Sequence, residues 1–151
     1  MEKYNHILSK DEKELLGVLE QYQLDIINNF LEQTNGDYIE SANKWLNATP
    51  SNTAKFGSQP STSKLYQEKL LEEIEKFLCG DERYEEDRKK LNNTADTSSK
   101  FFISSMSAAI GSYLGVAGAF IAPVIVLLLI SFGKMSINAW CEMRKSNREN
   151  L

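Results

Sequence analysis

The feature that most constrains this chain is a run of 33 residues, 101–133, that contains no Asp, Glu, Lys, Arg or His. Lys100 and Lys134 bound it on either side. A long apolar run is typical of a membrane span, because about 20 helical residues cross the hydrocarbon core of a bilayer. As one helix it would be about 50 Å long, which exceeds one span and falls short of two spans with a turn. We therefore predict an all-α protein with one long or kinked transmembrane segment. A core helix in a soluble bundle is the less favoured alternative, since a short chain supplies little material to cover it.

The first half of the run is rich in small side chains, and six of them recur in steps of four and three. They are Ser104, Ala108, Gly111, Gly115, Gly118 and Ala122. Small residues let the backbones of membrane helices approach closely, and this drives their association. The pattern predicts a helix-packing seam and a homo-oligomer, although Gly is frequent in membrane helices in general. The candidate pore-lining residues are Ser105, Ser107 and Ser112, and Pro123 is the predicted kink.

The residues that flank the run are expected to lie at the membrane–water interface, where Trp and basic side chains are favoured. They are Lys100, Phe101, Lys134, Trp140, Arg144 and Lys145. Basic residues are nearly balanced on the two sides, so their count leaves the topology open between a single span and a hairpin. We prefer the single span.

The charge distribution argues against nucleic-acid binding. Residues 1–100 carry a net charge of −6 and residues 134–151 a net charge of +2. Nucleic-acid binding needs Lys and Arg on phosphates, whereas a basic tail suits anionic lipid headgroups. The first residues are polar and do not predict a signal peptide. We expect the N-terminal part to lie in the cytoplasm and the protein to reside in the inner or plasma membrane.

The chain offers little for catalysis or metal binding. His6 is the one histidine, and Cys79 and Cys141 are far apart in the sequence. This spacing indicates neither a disulfide framework nor a zinc site, and we expect free thiols in a reducing compartment. No phosphate-binding motif is present. We predict no cofactor, no metal and no enzymatic activity.

The N-terminal part reads as an amphipathic helical bundle. The predicted helices cover residues 10–33, 37–46, 64–79 and 81–91, with Ser9 as the first N-cap and Gly80 as the stop after the third helix. Residues 47–62 have the composition of a loop and are the predicted hinge or cleavage point. The first helix carries an apolar stripe of Leu15, Leu19, Tyr22, Ile26 and Phe30. The predicted organisation is an interaction domain at 1–91, a linker at 92–100, a transmembrane segment at 101–133 and a basic tail at 134–151.

Two functions remain open. The first is a membrane-inserting effector of the toxin, lysis or antiviral-defence type, in which the small-residue seam assembles copies that disrupt the bilayer. The second is a membrane-anchored adaptor or immunity protein whose N-terminal helices bind a partner protein. A third class, a soluble protein that hides the apolar run until it is triggered, also remains open. Replacing Gly115 and Gly118 by Leu is the test that the sequence suggests, because an anchor tolerates bulky residues and a packed oligomer does not.

Overall fold

The computed structural model describes residues 2–48 and 60–149, and within them the chain is entirely helical. The α-helices are α1 Glu12–Leu16, α2 Gln21–Gln33, α3 Tyr38–Ala48, α4 Pro60–Cys79, α5 Glu85–Asn92, α6 Ser99–Leu114, α7 Gly118–Ser131 and α8 Ile137–Glu149. Three short 3-10 turns cover Glu2–Tyr4, Ile7–Ser9 and Glu82–Tyr84. The predicted all-α class is confirmed.

The first predicted helix is in fact two helices. Asp11 caps α1 by accepting a hydrogen bond from the Glu14 amide at 2.8 Å, so the prediction of Ser9 as the N-cap is wrong. Helix α2 restarts at Gln21, after the Glu20 amide has donated to the side chain of Gln23 at 2.9 Å. The break changes which face is buried.

The break explains an error in the predicted apolar stripe. Gln23 and Ile27 lie in the core, whereas Tyr22 is 58% exposed and Ile26 38% exposed. A stripe drawn through one continuous helix cannot follow a chain that turns between two helices.

The next two helices agree more closely with the sequence. Helix α3 matches its prediction, and α4 ends before Gly80, whose φ of +96° suits a glycine. Helix α4 begins at Pro60, four residues earlier than predicted. Most of the predicted hinge at 47–62 lies outside the described residues. The polar helix predicted at 81–91 is a 3-10 turn followed by α5.

The hydrophobic run forms two helices instead of one. Helices α6 and α7 are bent by 118° relative to each other, so the run is not one continuous helix, and the long or kinked span stays a prediction. The chain changes direction at Gly115, which has a φ of +77°, and not at Pro123, which lies inside α7. Across residues 2–48 and 60–149, no single helix has the length and hydropathy of a membrane span, and only this bent pair reaches them, by length and composition alone.

Helix α7 lies at the centre of the molecule. It packs against α1, α3, α4 and α6, and its side chains from Val124 to Leu129 are at most 3% exposed. The 1–91 and 101–133 segments thus contribute to one hydrophobic core. Splitting the run into two shorter helices is what lets so short a chain cover it.

A disulfide bond joins the end of α4 to α8. The sulfur atoms of Cys79 and Cys141 are 2.02 Å apart and the Cα atoms are 5.7 Å apart, across a sequence separation of 62. The prediction of free thiols is therefore wrong, because separation along the chain says little about distance in a helical bundle. The argument for a reducing compartment loses its basis, and the cytoplasmic location stays a prediction.

Candidate functional site

The candidate site is the hairpin of α6 and α7 together with the groove beside it. Helix α6 begins where Ser98 accepts a hydrogen bond from the Phe101 amide at 3.1 Å. It ends at Gly115, after which the Val116 amide donates to the Gly111 carbonyl at 2.9 Å. This pattern is a left-handed helix cap, which glycine adopts at little cost.

Two further glycines let α6 and α7 cross closely. A Cβ atom at Gly111 would lie 2.7 Å from the Val116 carbonyl oxygen and 3.2 Å from the Gly118 nitrogen. A Cβ atom at Gly118 would lie 3.4 Å from the Cα of Ala108. Gly111 and Gly118 of the predicted seam thus allow α6 and α7 of the same chain to pack closely against each other.

The other members of the seam line an open groove of about 290 Å³ between the hairpin and the α1–α2 connection. Ser104, Ala108, Gly118 and Ala122 form the hairpin side of this groove, and Val18, Leu19, Glu20 and Gln23 form the facing side. Ser104 and Ala108 are exposed. The structure therefore brings four of the six predicted seam residues to one surface and places Gly111 in the last turn of α6 and Gly115 at its end.

The three predicted pore-lining serines do not share a surface. Ser107 lines the groove and is 2% exposed, and its hydroxyl has no hydrogen-bond partner. Ser105 and Ser112 line a different depression beside α5. Their proposed role would require a rearrangement of α6.

The predicted interfacial residues are dispersed over the bundle. Lys100 and Lys134 are exposed, as is Lys145, while Phe101 is half-buried. Trp140 is only 1% exposed, and its ring stacks on Phe132 at 4.4 Å.

The last predicted interfacial residue, Arg144, helps to hold α8 against α4. Its Nε donates to the carboxylate of Glu75 at 2.8 Å, and Arg148 pairs with the same carboxylate.

Pro123 leaves a gap in the hydrogen bonding of α7, and the buried side chain of Gln23 fills it. Proline has no amide hydrogen to donate to the carbonyl four residues earlier, which is that of Ala119. The Gln23 side chain donates to this carbonyl at 2.8 Å, and the Trp45 indole donates to the next one, Phe120, at 2.8 Å. The sequence pattern did not predict these hydrogen bonds to α7. For Gln23, the available signal was a polar residue beside an apolar stripe.

We expect the substitution Gln23→Leu to be coupled energetically to Pro123→Ala. Alone, Gln23→Leu removes the donor to the part-buried Ala119 carbonyl, which costs about 1 kcal/mol. With Ala at position 123, a backbone amide supplies the missing donor, so this part of the loss disappears. Urea unfolding of the four proteins of the cycle measures the coupling. A cycle with Ser131→Ala, at the other end of α7, is the control and should be additive, and additivity in the Pro123 cycle would contradict the assignment.

An ion pair between the buried Glu73 and the solvent-accessible Arg83 lies between α4 and the hairpin. Glu73 is fully buried, and the Arg83 guanidinium donates to both of its oxygens at 2.8 Å. The Tyr84 hydroxyl donates to the same carboxylate at 2.6 Å. The Arg83 guanidinium also covers the ring of Tyr113, at 3.9 Å, near the end of α6. The cluster thus connects α4, the 3-10 turn at 82–84 and the hairpin.

The protonation of Glu73 reflects these contacts. Burial by itself raises the pKa of this carboxyl, but hydrogen bonds from Tyr84 and Arg83, with the positive charges of Arg83 and Lys76, outweigh it and hold the pKa below its ordinary value. Glu73 is therefore ionised in the folded protein at neutral pH. Burial and the neighbouring carboxylate also raise the pKa of Tyr84, which keeps its hydroxyl a donor.

In the described parts of the chain, no three His, Cys, Asp or Glu side chains are grouped so that they could hold a metal ion. A comparison of the chain with protein-family models, curated proteins and solved structures finds no match. The geometry of the hairpin, the groove and the clusters around them is thus what a functional proposal has to rest on.

Proposed function

We propose that this protein is a membrane-inserting effector that stores its apolar hairpin, α6 and α7, inside its own bundle and releases it into a lipid bilayer. The observation that carries the proposal is α7 itself. It has no charged side chain, and its side chains from Val124 to Leu129 are buried among the neighbouring helices. A helix that is apolar on all its faces is stable either in a protein core or in a membrane. On release, the hairpin would move from the protein core into the bilayer.

The hairpin suits insertion from one side of the bilayer. Helix α7 has 14 residues, about 21 Å, and is too short to cross a hydrocarbon core of about 30 Å by itself. Lys100 and Lys134 lie at the two ends of the pair and favour the aqueous side. We therefore favour a re-entrant hairpin with both ends on one side, and this revises the single span that the sequence suggested.

Self-association is the second part of the proposal. The groove along Ser104, Ala108 and Ala122 offers small side chains on an open surface, and such surfaces pack closely against a second helix in lipid. Replacing Gly115 and Gly118 by Leu does not test this cleanly. Gly115 has a φ of +77° and Gly118 touches Ala108, so those variants disturb the fold itself.

The test uses the full-length chain, both with its disulfide intact and after reduction, and vesicles of phosphatidylglycerol and phosphatidylcholine that contain a fluorescent dye. We expect dye release, together with protection of residues 101–133 from added protease, as detected by mass spectrometry. The double variant Ser104→Leu/Ala119→Leu fills the groove from two exposed positions and should reduce dye release about tenfold while leaving the protection unchanged. The matched control is Ala139→Leu/Ser146→Leu, the same two changes on exposed positions of α8.

Insertion and self-association can each be contradicted by a separate result of this test. Vesicles that bind the chain but leave 101–133 open to protease would contradict insertion. Equal dye release by the groove variant and its control would contradict self-association through the groove.

The adaptor remains the second candidate, and the exposed apolar side chains of α2 favour it. Tyr22 and Ile26 are one helical turn apart and lie on the surface, as expected of helices that bind a partner protein. If 101–133 stays unprotected on vesicles, this face of α2 becomes the part of the chain to test for a protein partner.

A further inference from the structure

The disulfide bond lies at the edge of a solvent-connected cavity. Cys79 and Cys141 both line this cavity, which has a volume of about 490 Å³. Cys79 is an exposed residue, and Cys141 is half-buried. Asn138 and Glu142 of α8 line the cavity as well. A small thiol thus has both room and a path to a sulfur atom that most structural disulfides keep buried.

This bond is the covalent part of the attachment of α8. Its other links include the ion pairs of Arg144 and Arg148 with Glu75 and the hydrogen bond from the Ile137 amide to the Asn5 carbonyl at 2.7 Å. Arg148 is 57% exposed, and ion pairs at such exposure contribute little. The covalent loop from Cys79 to Cys141 also encloses α6 and α7, the proposed membrane hairpin.

We propose that Cys79–Cys141 is a thiol–disulfide exchange site for small thiols, and that its reduction frees α8 from α4 as the first step of hairpin release. The release step rests on the function proposed above, whereas the exchange site does not. The trigger would then be transfer from oxidising surroundings, in which disulfides form, to surroundings rich in thiols.

The reaction balances with two equivalents of thiol. The thiolate of the first attacks the Cys79 sulfur, a mixed disulfide forms there, and Cys141 leaves as a thiolate that takes a proton from water. The thiolate of the second thiol then attacks the sulfur of the first. The disulfide of the two small thiols departs, and Cys79 is left as a thiol. The two thiols supply the two electrons that the cystine takes up.

The first experiment measures how the reduction rate depends on thiol concentration, with glutathione and the folded full-length chain. Direct attack through the cavity predicts a rate that rises linearly with glutathione. A rate that levels off at the unfolding rate would mean that the bond is reached only after the protein opens, and this would overturn the exchange site.

The charge of Glu142 provides a control for the route of entry. Glutathione is anionic, so Glu142→Gln should speed reduction about twofold at low ionic strength and lose this effect in salt. Neutral 2-mercaptoethanol should react equally with both proteins. Glu149→Gln, which changes the same charge at a position not lining the cavity, should leave the glutathione rate unchanged. If Glu149→Gln and Glu142→Gln behave alike, entry through this cavity is wrong.

Hydrogen exchange then tests release separately from membrane activity. After reduction, or in Cys79→Ser/Cys141→Ser, we expect amides of α8 to exchange about tenfold faster while those of α3 keep their protection. Unchanged protection in α8 would overturn the release step even if reduction is direct. The vesicle assay is read independently: faster exchange in α8 without any dye release would leave the exchange site standing and contradict the proposed function.

Discussion

Replacing Arg83 by Met is expected to lower the free energy of unfolding by about 1–3 kcal/mol, because it removes the donor that contacts both oxygens of the buried Glu73 carboxylate. Arg83 donates to both oxygens of this carboxylate, which has no exposed surface. Methionine keeps most of the aliphatic length and removes the charge. Urea unfolding measures the change, since urea does not screen ion pairs as guanidinium does.

Lys69→Met is the matched control. Lys69 also lies within ion-pair distance of Glu73, at 3.4 Å, but its side chain is 44% exposed. Such a pair contributes about 0–1 kcal/mol, so the same substitution should have a small effect. Equal losses in the two variants would show that charge near Glu73, and not the two-oxygen contact, is what stabilises the fold.

The pH dependence of stability gives an independent test of the Glu73 cluster. The pKa of Glu73 is lowered in the folded protein, so its contribution to stability is complete above the unfolded pKa of about 4.3 and is lost as the pH falls through the folded value. Arg83→Met removes the hydrogen bond and the charge of Arg83, two of the causes that lower the pKa of Glu73, so this pKa moves back toward its unfolded value and the variant loses less stability on acidification. The unfolding free energies of wild type and variant should therefore converge as the solution is acidified. Curves that stay parallel down to pH about 3 would contradict this account.

The sequence predicts many of those features of the fold that depend on residues close together in the chain, and it does not predict those that depend on contacts between distant residues. The class, the α3 helix and the stop at Gly80 follow from local patterns, and the structure agrees with them. The break between α1 and α2 was missed because its signal is a polar residue, Gln23, that bonds to the backbone of Glu20. The disulfide was not predicted because no sequence pattern between Cys79 and Cys141 indicates that their helices are neighbours in the fold.

The small-residue seam shows why the candidate site was only partly predictable. Close approach of two helices needs small side chains in a bilayer and in a bundle alike, so the pattern predicted contact without saying which helix is the partner. In the structure Gly111 and Gly118 serve the contact of α6 with α7 in the same chain, and the exposed Ser104 and Ala108 remain available to another. The turn at Gly115 folds α7 back against α6, and this turn is what makes the contact of Gly111 and Gly118 a contact within one chain.

Gly111→Ala is expected to destabilise the protein by about 2 kcal/mol, although alanine is the better helix former. The new Cβ would lie 2.7 Å from the Val116 carbonyl oxygen and 3.2 Å from the Gly118 nitrogen. Both are backbone atoms of the turn, so the hairpin has to open by a fraction of an ångström, and overpacking of this kind costs about 1–3 kcal/mol, occasionally more. We take about 3 kcal/mol for the clash, less about 1 kcal/mol for the helical preference of alanine.

Gly17→Ala makes the same change where the shortest contact of the new Cβ is 3.1 Å instead of 2.7 Å, and it separates the clash from the general effect of replacing glycine. Gly17 follows α1 with a φ of −66°, a conformation open to alanine, and its nearest neighbours are carbonyls of α1 itself, at 3.1 Å and beyond. We expect it to be neutral or to stabilise by about 0.5 kcal/mol through the unfolded state. Urea unfolding compares the two variants, and hydrogen exchange should localise the Gly111 effect to α6 and α7. If Gly111→Ala is as stable as Gly17→Ala, the glycines do not close the hairpin, and the seam is free to serve another copy of the chain.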